Sequence, residues 1–210
     1  DECLEHWSPC RHATQYRNPD DVGSHPVGGE WQADRVVTPE LRTERLRLRA
    51  WRDDDLVPFA AMNADPEVMR YFPATLTEAQ SRESVALWRD QFAERGWSNW
   101  AVELAHSGEF IGFVGLSIPR RPLPFSPCVE IGWRLARRFW GQGYATEAAK
   151  ASLAVGFGPL GLGEIVSYTA LVNRPSRAVM ERIGMRDTGR DFEHPAVARQ
   201  SPLRDRKSTR

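Results

Sequence analysis

Residues 128–135 carry the apolar content of a strand, and they run through Arg138-x-x-Gly141-x-Gly143 straight into an Ala-rich helical pattern over residues 145–157. That order confines the chain to folds in which a helix N-terminus opens at the end of a sheet strand. Glycines let the turn adopt positive φ and let a ligand approach the backbone, and the first-turn N–H groups lack partners inside the helix. Such a terminus attracts an anion, most often a phosphate. The loop lacks the Gly-Lys-Ser/Thr of a P-loop, and Gly141-x-Gly143 is followed three residues later by Thr146, not by the third glycine of a dinucleotide fold. Taken alone, the two glycines suit a plain tight turn equally well.

The flanking pattern predicts an α/β domain with a mixed sheet. Leu46, Leu48 and Ala50 alternate with Arg45, Arg47 and Arg49, the two-residue period of a half-buried strand. Asp53 offers an N-cap to a short helix with Leu56, Phe59 and Ala60 on one face, ending near Asp65-Pro66. Thr77 and Gln80 form a capping box for an amphipathic helix over 78–95, stopped by Gly96. Residues 100–104 and 110–116 are joined by the polar turn His106-Ser107-Gly108 as an antiparallel hairpin. The loop 119–127 holds four prolines and is no strand interior. A strand over 164–171 and a helix over 176–183, ended by Gly184, complete the alternation.

Composition limits the partners. Lys+Arg and Asp+Glu both number 28, and this neutrality gives no reason to expect a nucleic acid or membrane partner. Only Lys150 and Lys207 are lysines, so arginine dominates the basic side and a single Arg carries little weight. The charge is uneven, however: residues 1–40 hold eight acids and three Arg, leaving +5 for the remainder. No apolar run has the length of a membrane span, and the acidic start does not resemble a signal peptide. Cys3, Cys10 and Cys128 form no disulfide framework, which fits a cytoplasmic protein. Cys3, His6, Cys10 and His12 are spaced too irregularly for a zinc site, so no metal is expected. Residues 1–37, rich in Pro and Gly and without periodicity, read as a disordered or non-native tail. A domain over 38–203 follows, in which one core fits.

Four motifs occur in order over residues 38–203. Leu41-x-Thr43-Glu44-Arg45-Leu46 and Asp65-Pro66-Glu67-Val68-Met69 precede Glu130-Ile131-Gly132 with Arg138-x-x-Gly141-x-Gly143-Tyr144-Ala145. Asn173-x-x-Ser176-x-x-Val179-Met180-Glu181-x-x-Gly184-Met185 follows. Together they resemble the GNAT superfamily of N-acetyltransferases, in the branch of the ribosomal-protein N-terminal (alanine) acetyltransferases. The resemblance implies a mixed, mostly antiparallel sheet with flanking helices and a splayed parallel strand pair, 128–135 and 164–171, beside a β-bulge. It implies direct acetyl transfer from acetyl-CoA to a primary amine, on a protein N-terminus or a small molecule, by a monomer or homodimer.

By that resemblance Glu130 is the general base, through a water, and Ser176 the general acid for the leaving thiolate; a strand salt bridge and a helix cap are the plainer roles of the two. Gly141, Gly143, Tyr144 and Ala145 present backbone N–H groups to the pyrophosphate, with charge from Arg138. Asn173 serves a pantetheine amide or a turn. For the acceptor, Trp97, Trp100, Trp133 and Phe125 are candidates for an aromatic slot, against the alternative that they are core, and His194 is a candidate contact. Relatives of this branch close on an apolar strand, whereas residues 204–210 are highly polar, so an aberrant or truncated C-terminal tail is expected. The competing reading is an inactive acyl-CoA-binding module of the same fold.

Overall fold

The structure, a computed structural model, describes residues 12–17, 40–119, 121–192, 197 and 203. One eight-stranded sheet runs in the order β2-β3-β4-β5-β6-β7-β1-β8, with β1 His12–Arg17, β2 Leu41–Arg42, β3 Leu46–Arg49, β4 Asn99–Leu104, β5 Phe110–Ser117, β6 Glu130–Leu135, β7 Glu164–Thr169 and β8 Arg186–Asp191. Every pairing is antiparallel except β6 with β7. That pair registers only at Glu130 and Val166 and then parts. At the parting, the Ser167 hydroxyl donates to the Ile131 carbonyl at 3.0 Å, where a regular ladder would use a backbone amide. This is the expected splayed pair, in a mixed α/β fold. The bulge lies elsewhere, in β5 at Ile111, where the β4–β5 register shifts between Val102 and Glu103.

Helices cover both faces. On one side α1 (Leu56–Ala64), α2 (Pro66–Met69) and α3 (Glu78–Arg95) enclose Trp51, Phe59, Met62, Val68, Val85, Trp88, Phe110 and Phe113. On the other, α4 (Tyr144–Phe157) and α5 (Arg174–Arg182) pack on Leu46, Leu48, Ile111, Leu116, Ile131 and Ile165. The α3 boundaries match the capping box, with Thr77 and Gln80 bonding reciprocally and Gly96 left-handed at the end. Asp65-Pro66 closes α1 as expected, with Asp65 at its C-cap, and also opens α2: the Asp65 carboxylate accepts from the Glu67 amide at 2.8 Å, and Pro66 needs no donor at that position.

Strand β3 is not half-buried. Leu46 and Leu48 are inaccessible as expected, but Arg49 is also buried on the opposite face. Its guanidinium holds Asp55 with two hydrogen bonds, 2.7 and 2.8 Å, and reaches Glu103, which Arg47 and Arg52 also contact. A buried arginine is tolerated here because its charge is met by buried carboxylates.

Within residues 1–37, expected to be unpacked, His12–Arg17 forms a strand antiparallel to both β7 and β8. Neither β1 nor β8 shows apolar alternation, because strand pairing is made by backbone groups that every residue carries. Residues 1–11, 18–37 and 204–210 lie outside the described residues.

Candidate active site

Where β6 and β7 part, a cleft of about 620 Å³ opens, bounded by α2, α4 and α5. Glu130, Gly141, Gly143, Tyr144, Ala145, Asn173 and Ser176 all line it. Sequence separations of up to 46 residues are thereby brought to one cavity.

Glu130 stands at the point of the split. Its Oε1 accepts from the Ser117 hydroxyl at 2.8 Å, across the β5–β6 register that places the two residues opposite each other. Burial pushes its carboxyl above the ordinary carboxylate range, opposed by hydrogen bonds from Tyr168 and Ser117 that favour the ionised form. Tyr168 in turn is packed with Phe125 and Phe192, whose rings meet edge-on at 5.1 Å. Phe125 thus supports Tyr168.

Two residues along β6 from Glu130, Gly132 also lines the cleft, and a Cβ built there would meet nothing within 4 Å. The slot is therefore open for a narrow chain beside the strand. At its far end Gly141 and Gly143 have φ of +75° and +82°, and α4 begins at Tyr144 without a side-chain cap. Its first-turn amides are left for an anion, as a pantetheine arm with its pyrophosphate would require. The residues present thus fit an acyl-CoA.

On the opposite wall, Asn173 is the N-cap of α5: its Oδ1 accepts from the Ser176 amide at 3.2 Å and its Nδ2 donates to Thr169 Oγ1 at 2.9 Å. The cap is therefore Asn173, and the Ser176 hydroxyl is not used for capping. Arg138, expected at the anion loop, is not among the cleft-lining residues; it donates to Glu109 at 2.6 Å and lies over the Phe139 ring. Its place beside the loop is taken by Arg45, from the β2–β3 turn. Trp97 and Trp100 are core residues, Trp133 does line the cleft, and His194 lies outside the described residues.

The cleft is also lined by Arg70, Tyr71 and Phe72 from α2's C-terminal end and the segment after it, by Trp140 before the glycine loop, and by Arg134. Arg134 is buried, bonded to Asn63 Oδ1 at 2.7 Å and placed 4.1 Å from the Phe72 ring centre. Burial lowers its pKa to about 9. Only the adjacency of Tyr71-Phe72 to the Asp65–Met69 motif could have signalled this wall in the sequence. Cys128 is not among the cleft-lining residues, and burial pushes its thiol up to about 11, which disfavours the thiolate. No group of His, Cys, Asp and Glu that could hold a metal occurs among the described residues, and no helix there is long and apolar enough to cross a membrane.

The profile of the Acetyltransferase (GNAT) domain matches residues 45–186, a span that contains the split strands, the glycine loop and α5. The chain belongs to the GNAT acetyltransferase family. This acetyltransferase is 38% identical to the YkkB protein of Bacillus subtilis over 149 residues, 70% of this chain and 84% of that protein. It is 35% identical to the FsC-acetyl coenzyme A-N(2)-transacetylase of Aspergillus fumigatus, over 70% of this chain and 65% of that one. Among solved structures, an acetyltransferase from Agrobacterium tumefaciens aligns with a TM-score of 0.61 at 30% identity, covering 77% of this chain and 88% of its own. The ribosomal-protein-S5-alanine acetyltransferase of Vibrio fischeri shares the fold, with a TM-score of 0.57 at 17% identity over 69% of this chain and 81% of its own. The GNAT acetyltransferase is thus an acetyl-CoA-dependent enzyme that transfers acetyl groups to amines.

Proposed function

We propose that the acetyl thioester of acetyl-CoA lies in the β6–β7 split and is transferred directly to a primary amine, of a small molecule or a protein N-terminus, with Glu130 as general base and Ser176 as general acid. The amine loses a proton through a water to Glu130, its lone pair forms the C–N bond, the C–S bond breaks, and Ser176 protonates the departing thiolate. That first proton passes from Glu130 to solvent; the second, lost from the nitrogen once the C–N bond has formed, returns through Glu130 and water to Ser176, which has given its own to the thiolate. A carboxylate needs a raised pKa to accept an amine proton usefully, and burial supplies it. The observation that carries the reading is that Glu130, at the point where the strands part, lines the same cleft as Ser176.

The backbone amides of Gly143, Tyr144 and Ala145 would hold the pyrophosphate. Asn173, with one Nδ2 hydrogen and one Oδ1 lone pair engaged in its cap and in Thr169, would offer the remaining hydrogen and lone pair to a pantetheine amide. Tyr71, Phe72 and Trp140 would flank the acceptor. The test is acetylation of N-terminal peptides, polyamines and aminoglycosides with acetyl-CoA, followed by mass spectrometry. Acetylated amine and stoichiometric CoA from at least one class are expected; thioester consumption with no acetylated amine in any class would overturn the reading.

A further inference from the structure

Arg45 lies outside the cleft but is locked to its anion loop. The turn between β2 and β3 docks on the first turn of α4: Glu147 Oε1 accepts from Thr43 Oγ1 at 2.6 Å and from the Arg45 amide at 2.9 Å, while Oε2 accepts from Arg45 Nε at 2.7 Å. The guanidinium sits over the Tyr144 ring at 4.7 Å, and its Nη1 donates to the Gln142 carbonyl at 2.9 Å. Burial opposes ionisation of Glu147, but the bonds from Thr43 and Arg45 together hold its carboxyl below the ordinary carboxylate range.

The bond to Gln142 has a directional consequence. In a trans peptide the carbonyl and the following N–H point in opposite directions. With the Gln142 oxygen drawn to Arg45, the Gly143 N–H is turned to the other side, where Gly143 lines the cleft and Gln142 does not. Rotation of this peptide turns on ψ of Gln142 and φ of Gly143, and Gly143, already at positive φ, offers little steric resistance on its side without such a tether. Rotated, it would direct a carbonyl oxygen at a bound phosphate.

We infer that Arg45, held by Glu147 and Thr43, is a positioning residue that fixes the Gln142–Gly143 peptide with its N–H toward the phosphates of the acyl donor. The inference rests on the acyl-CoA reading of the cleft. It predicts an effect confined to ligands that carry the pyrophosphate.

The experiment is titration of Arg45→Ala with CoA and with pantetheine, by calorimetry and by NMR respectively, beside wild type. CoA affinity should fall about tenfold, the size of one lost charge-assisted hydrogen bond, while pantetheine affinity stays unchanged. Equal weakening of both ligands, or no loss for CoA, would overturn the inference. If Arg45→Ala does not fold, Arg45→Met, which keeps an apolar stem over Tyr144 and removes the donor, is read the same way. Failure of wild type to bind CoA at all would instead overturn the reading of the cleft itself, so the two failures are distinct.

Discussion

Ser117 and Glu130 face each other across the β5–β6 ladder, and the serine hydroxyl donates to Glu130 Oε1 at 2.8 Å. With Tyr168 it supports the ionised carboxylate against burial. A base must be ionised to act, so kcat/KM should fall with decreasing pH at a point above the ordinary carboxylate range. Removing a bond that favours the ionised form raises the pKa further. Tyr168→Phe should therefore move this acid limb to higher pH, measurable as a pH–rate profile, and a limb that stays put or moves lower would contradict the assignment.

Ser176 and Asn173 separate chemistry from capping. Ser176→Ala should lower kcat by about 10²-fold, a usual loss for a general acid, with no change in melting temperature because Asn173 supplies the cap. Asn173→Ala removes that cap and should destabilise the protein by about 1 kcal/mol. Parallel melts and kinetics on the two variants distinguish these effects.

Arg49 is central to a buried charge cluster. Arg49→Met leaves Asp55 and Glu103 buried, with the Arg47 and Arg52 side chains still on Glu103 and the Arg52 backbone amide still donating to Asp55, but no guanidinium on Asp55. A loss of about 3–5 kcal/mol is expected in denaturant unfolding, since removing one partner strands a buried carboxylate. A change below about 1 kcal/mol would show that the cluster is not coupled.

Gly112 is needed where it stands. Its φ is +146°, and a Cβ there would lie 2.1 Å from the Arg134 carbonyl oxygen, a backbone atom of the neighbouring strand. Gly112→Ala should cost at least about 3 kcal/mol, read as a fall in melting temperature.

What was legible in the sequence was local. Gly141-x-Gly143 and the small-residue start of α4 predict an anion loop because turn and helix terminus lie in consecutive residues, and the capping box at Thr77 fixes α3 for the same reason. Glu130 and Ser176 entered through resemblance and reach one cleft. Tyr168 and Arg45 were not legible, since one meets Glu130 only across the split and the other meets Gln142 only through docking of the β2–β3 turn. In a chain whose basic residues are nearly all arginine, nothing local distinguishes Arg45 from Arg138, which faces Glu109. Trp100 likewise cannot be told from Trp133 by alternation alone: one is inaccessible in the core, the other lines the cleft.

Glu130→Gln, measured once for CoA binding by calorimetry and once for acetyl transfer to the best amine, tests the catalytic role of the split strands most directly. CoA should bind with wild-type Kd while turnover falls at least about 10²-fold, the usual contribution of a general base. Wild-type turnover in Glu130→Gln would contradict the role assigned to this carboxylate.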